Sequence, residues 1–75
     1  MELIYNDKTL YITIEEEISF SLINTLKYKL NSIIDTYHIP NIEINILSNT
    51  HFDKILLNDL LEDIHSKYHT RFKIR

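Results

Sequence analysis

Apolar residues recur along this chain with two different periods, and the changes of period mark its elements. Residues 2–6 and 9–15 predict two strands joined by the short turn Asn6-Asp7-Lys8. In the second, Leu10, Ile12 and Ile14 alternate with Tyr11, Thr13 and Glu15, the period of two that belongs to a half-buried strand. A tight polar connection between two such runs predicts an antiparallel hairpin. After Glu15-Glu16-Glu17 the spacing becomes helical. Ser19 is placed to cap a helix, and Leu22, Ile23, Leu26, Leu30, Ile33, Ile34 and Tyr37 then form one apolar stripe. Pro40 stops it, because the residue before a proline disfavours helix.

Residues 41–47 alternate again, with Ile42, Ile44 and Ile46 on one face. Ser48-Asn49-Thr50-His51 predicts a turn of capping residues, and Thr50 with Asp53 three positions on resembles a capping box. A second helix then runs to about Tyr68, with Leu57, Leu60, Leu61, Ile64 and Tyr68 on its inner face, and residues 71–75 predict a last strand. The order is ββαβαβ. Strand–helix–strand units cross over right-handed, so a sheet growing in one direction carries both helices on one face. The predicted fold is a two-layer α/β domain with a mixed four-stranded sheet. A sheet covered on both sides would read as continuous apolar runs. Here Tyr11, Thr13, Glu43, Asn45, Arg71 and Lys73 are left for the uncovered face.

Length and composition narrow the function classes. The 75 residues predict a single domain, and one this short buries only ~60% of its unfolded surface, so a partner would help it. With no cysteine, disulfides and thiolate metal sites are excluded. No apolar run approaches the ~18 residues of a membrane span. Residues 1–6 lack the layout of a signal peptide, and a cytoplasmic location is expected. The net charge of −3 argues against a general nucleic-acid binder. Lys67, Arg71, Lys73 and Arg75 gather near the end, and Arg71, Lys73 and Arg75 with Tyr11 would support weak nucleic-acid binding at most. Gly, Ala, Val, Gln, Trp and Cys are absent while Ile, Leu and Asn abound, a bias expected of an AT-rich genome such as that of a phage, a virus or a low-GC bacterium. Without glycine, no loop can lay bare backbone against a phosphate, which removes P-loop and Rossmann nucleotide sites.

Few residues suggest chemistry. Glu62, His65 and His69 fall at i, i+3 and i+7 on the second helix, a spacing that could offer ligands to zinc. A surface helix in a polar chain often collects such residues, and no fourth ligand is evident. Asp53 suits a helix N-terminus, and Asp59 and Asp63 read as a solvated face. Ser19, Ser21, Ser32, Ser48 and Ser66 sit in no nucleophile-elbow context. No cofactor and no metal are expected. Aromatic placement says more. At 100° per residue, Tyr28 points away from the stripe of the first helix, and Phe20 and Ile55 also lie off the stripes of theirs. Exposed aromatics are enriched at interfaces. Tyr28, Phe20, Ile55 and Tyr11 are therefore the candidate partner-binding residues.

Two family resemblances point the same way. Residues 11–18, Tyr-Ile-Thr-Ile-Glu-Glu-Glu-Ile, followed by Leu22-Ile23-Asn24-Thr25, resemble the start of the Clp protease proteolytic subunit. Ile42-Glu43-Ile44-Asn45-Ile46-Leu47-Ser48 is similar to that family's strand leading into Asn-Ser-Pro-Gly-Gly, and residues 57–64 fall where its next helix lies. The likeness spans roughly residues 10–74. The family's Gly-Gly would fall near Thr50-His51, only Ser48 of that motif survives, and the segments bearing the nucleophilic serine, histidine and aspartate have no counterpart. The resemblance thus implies a half-copy unable to cleave anything, which could self-associate or engage a full-length subunit or its unfoldase. The chain also resembles the STAS domain, with Phe52-Asp53-Lys54 at the family's phosphorylation site and Lys54 where the serine would be. Both resemblances imply a non-catalytic module that binds another protein. A homodimer, or a complex formed through the outer face of the first helix around Tyr28, is the expected assembly.

Overall fold

The computed structural model describes residues 1–47 and 54–75. Strands β1 (Glu2–Asn6) and β2 (Thr9–Ile14) pair antiparallel, with Asn6 opposite Thr9. The turn is therefore shorter than predicted, consisting of Asp7 and Lys8 alone. Both have positive φ, 49° and 63°, as a two-residue type I′ hairpin requires so that its twist matches the strands. Neither is glycine, so each carries a Cβ in a region that disfavours one.

Helix α1 (Phe20–Tyr37) starts as its sequence predicts. The Ser19 hydroxyl accepts the Leu22 N–H at 3.2 Å, satisfying one of the donors orphaned in the first turn. It ends at Tyr37, three residues before Pro40. His38 adopts the left-handed conformation, φ 53°, and its N–H bonds the Ile34 carbonyl at 2.9 Å. Strand β3 (Asn41–Ile46), helix α2 (Lys54–Tyr68) and strand β4 (Arg71–Ile74) follow. α2 closes the same way, with His69 at φ 60° and its N–H on the His65 carbonyl at 2.8 Å.

The sheet order is β1-β2-β3-β4, with β2, β3 and β4 mutually parallel. This is the predicted mixed sheet, growing in one direction, with both helices packed on one face. Strands β2, β3 and β4 each end one residue before their predicted limits. Leu47 and Arg75 still donate to the Ile14 and Ile44 carbonyls, at 2.9 and 2.8 Å.

The core lies between the layers. The sheet contributes Leu10, Ile12, Ile14, Ile42 and Ile44, α1 contributes Ile23, Leu26, Leu30 and Ile34, and α2 contributes Leu57, Leu60, Leu61 and Ile64. Ile18 and Ile39, in connections just before α1 and β3, are buried with them. Tyr37 lies on the predicted stripe but is exposed rather than buried. It ends α1 beside the outer strand β1, where it lines an open cleft with Leu3, Tyr5, Leu10 and Ile33. The turn and capping box predicted around Ser48, Thr50 and Asp53 lie outside the described residues.

Candidate functional site

Three parallel strands connected by two helices make α1 and α2 run side by side in the same direction, so their first turns meet at one end of the molecule. Between them opens a cleft of about 390 Å³. Ile23, Leu56 and Leu60 supply its apolar lining, and Lys27 from α1 and Asp59 and Asp63 from α2 line it as well. Phe20, the first residue of α1, stands at its mouth and is 67% exposed. The sequence placed Asp59 and Asp63 on a solvated face; both are exposed, and both line this cleft.

The four candidate contact residues divide between the layers. Tyr28 is 80% exposed, eight residues after Phe20 and so ~12 Å further along the helix axis. Ile55 is 73% exposed, next to the cleft residue Leu56. These three share the helical layer. Tyr11 is on the open face of the sheet, in register with Glu43 and then Lys73.

The terminal cations are likewise separated. Arg71 and Lys73 lie on the open face, where Arg75 donates to Glu43 at 2.9 Å. Lys67 is on α2, across the sheet. Its ammonium donates to Asn31 at 3.2 Å and lies 5.1 Å from the centre of the Tyr68 ring. The basic cluster visible in the sequence is thus two groups on opposite layers.

The spacing of Glu62, His65 and His69 is not realised on one helical face. His69 has left the helix in a left-handed conformation. His65 Nδ1 is 3.0 Å from the Thr70 carbonyl; because a carbonyl only accepts, that nitrogen carries the proton. Its ring also meets Phe72 edge-on, with centroids 6.4 Å apart. Among the described residues no three His, Cys, Asp or Glu side chains are grouped to hold a metal ion. Ser48, Thr50, His51, Phe52 and Asp53, the positions aligned with the two families' motifs, lie outside the described residues.

The Glu16 carboxyl titrates below its ordinary value. Its side chain accepts a hydrogen bond from the Met1 amino group, with a nitrogen–oxygen distance of 3.0 Å to the nearer oxygen. That bond, together with a backbone hydrogen bond and the amine's charge, holds the carboxyl below its usual 4.5. The tie joins the first residue to the loop before α1.

Asn31 was not singled out by pattern, yet it links the helices. Its Oδ1 accepts from the Tyr68 hydroxyl at 3.0 Å and from Lys67, while its Nδ2 donates to the Lys27 carbonyl at 2.8 Å. The available signal was its position, one turn from Tyr28 on the flank of the apolar stripe.

No protein-family model matches the chain, and neither a curated protein nor a solved structure matches it significantly. Among the described residues no helix is long and apolar enough to cross a membrane.

Proposed function

We propose that this chain is a non-catalytic, cytoplasmic protein-interaction module whose partner docks on the helical layer, at the cleft beneath Phe20. The observation that carries this reading is a phenyl ring 67% exposed at the mouth of a cleft lined by Ile23, Leu56 and Leu60. Covering a ring of this size gains ~1.5–3 kcal/mol. An apolar centre with Lys27, Asp59 and Asp63 beside it has the anatomy of a contact patch, in which an aromatic anchor is surrounded by polar groups that set orientation. Tyr28 and Ile55 extend the patch along both helices.

The resemblance to the Clp proteolytic subunit supports a Clp-type protease component as the partner. A chain that keeps the family's pattern but not its Gly-Gly would bind a full-length subunit or its unfoldase without cleaving substrate. Calorimetry with each purified component from the same organism tests this. Heat is expected with one of them and is lost in Phe20→Glu and Tyr28→Glu, while circular dichroism stays native. No heat with either component removes the Clp partner, and undiminished heat with Phe20→Glu removes the cleft. The chain alone should hydrolyse no peptide or ester; turnover abolished by Ser48→Ala would overturn the non-catalytic reading.

A further inference from the structure

The two edges of the sheet, β1 and β4, differ in what they offer a second strand. Along β4, Arg71 and Lys73 point to the open face and Arg75 follows in alternation. Two β4 strands paired antiparallel would set Lys73 against Lys73 and Arg71 against Arg75, and like charges directly opposite are destabilising. Such cations guard an edge. β1 has a single charge, Glu2, and no described strand covers its outer side.

We infer that two copies of this chain associate edge to edge through β1, antiparallel, joining their two four-stranded sheets into one. The backbone pattern suits this pairing. In a two-residue hairpin the closing pair, Asn6 and Thr9, exchanges both backbone hydrogen bonds, and bonding then alternates along the ladder. Asn6, Ile4 and Glu2 therefore bond to β2, and Leu3 and Tyr5 direct their N–H and C=O groups outward. Two such edges match when Leu3 faces Tyr5 of the second copy and the reverse. This register pairs all five residues of β1, puts Ile4 on the two-fold axis and sets Glu2 opposite Asn6, so no like charges meet. The contact is isologous and closes at a dimer.

Both faces of this edge expose apolar side chains. On the open face Ile4 is 52% exposed, beside its register partner Tyr11. On the helical face a cleft of about 290 Å³ lies between β1 and α1, lined by Leu3, Tyr5, Leu10, Ile33 and Tyr37. In the inferred register, Tyr5 of the second copy sits beside Leu3 and closes that cleft. Tyr5 and Tyr37, both exposed in the single chain, become covered. This surface shares no residue with the cleft beneath Phe20 and goes beyond the proposed function.

Sedimentation equilibrium of the full chain over a wide concentration range tests the inference, with a monomer–dimer equilibrium expected. Ile4→Lys places two ammonium groups on the axis and should raise the dissociation constant by ~10-fold or more with the native circular dichroism retained. Ile4→Cys introduces the only thiols into a cysteine-free chain. A non-hydrogen-bonded antiparallel pair, with Cα atoms ~4.5 Å apart, falls within disulfide reach. Diamide, taking up the two electrons and two protons, should cross-link Ile4→Cys to a dimer and leave Tyr28→Cys without a covalent cross-link. A wild type that remains monomeric throughout overturns the inference. So does a dimer that survives Ile4→Lys, fails to cross-link at position 4, or grows into larger species, as β1-on-β4 pairing would. Phe20→Glu should leave the dimer intact, so loss of the heterologous partner and loss of the dimer are read separately.

Discussion

The Thr70 hydroxyl donates to the carbonyl of Ile39 at 2.9 Å, joining two connections 31 residues apart. Thr70 is the one buried polar residue among those described, and its partner Ile39 is buried as well. The bond fastens the entry to β4 against the entry to β3, alongside the Arg71 N–H on the Pro40 carbonyl at 2.9 Å. Thr70→Val keeps the shape and leaves that carbonyl without this donor. A loss of ~1–3 kcal/mol is expected, read by urea denaturation, with Thr70→Ser retaining most of the stability. Equal stability in the valine variant would show that the bond contributes nothing net.

Left-handed residues without glycine are a second measurable feature. Lys8, His38 and His69 hold φ near 50–60° or just above. A β-carbon there costs roughly 1–2 kcal/mol, partly offset by the flexibility glycine adds to the unfolded chain. Lys8→Gly, His38→Gly and His69→Gly should each stabilise by ~0.5–1 kcal/mol. In a domain of this size that raises Tm by ~2–8 °C, measurable by calorimetry.

Core truncation should be far more damaging. Leu30 and Ile44 are fully buried, one in each layer. Leu30→Ala and Ile44→Ala should each lose ~2–5 kcal/mol, much of the total stability of a small domain. Thermal melts would show strongly lowered or absent transitions, and melting like the wild type would contradict the assignment of both residues to the core.

The tie between Glu16 and the Met1 amine sets a pH dependence. The carboxyl titrates below 4.5 in the folded chain, so the unfolded state binds its proton more readily. The contribution is therefore fully present above the unfolded-state value and is lost as pH falls through the lowered folded-state value. Carbon-detected NMR titration should show the Glu16 midpoint below 4.5. Acetylating the N-terminal amine should bring it back up, and Glu16→Gln should flatten this part of the acid-stability profile.

Much of this protein was determined by local pattern. The alternation of Leu10, Ile12 and Ile14, and of Ile42 and Ile44, declares both strand and buried face, because side chains alternate sides with a period of two. The stripe from Ile23 to Ile34 declares a helix and its inner side for the same kind of reason. Ser19 could be named as a cap, and Phe20, Tyr28 and Ile55 as outward-facing, since these follow from rotation about a single helix axis.

Tertiary structure decided what depends on two elements at once. Ile18 and Ile39 stand in connections with no period to expose them, and they are buried because the chain enters α1 and β3 over the core. Tyr37 obeys the stripe yet is exposed, because α1 ends beside an outer strand. Lys67 and Arg71 are near neighbours in sequence but lie on opposite sides of the sheet, since the chain turns from helix to strand between them. The cleft beneath Phe20 requires the parallel alignment of α1 with α2, and the contrast between the β1 and β4 edges requires the strand order. Neither is encoded in any one segment's periodicity, because strand pairing is a relation between residues distant along the chain.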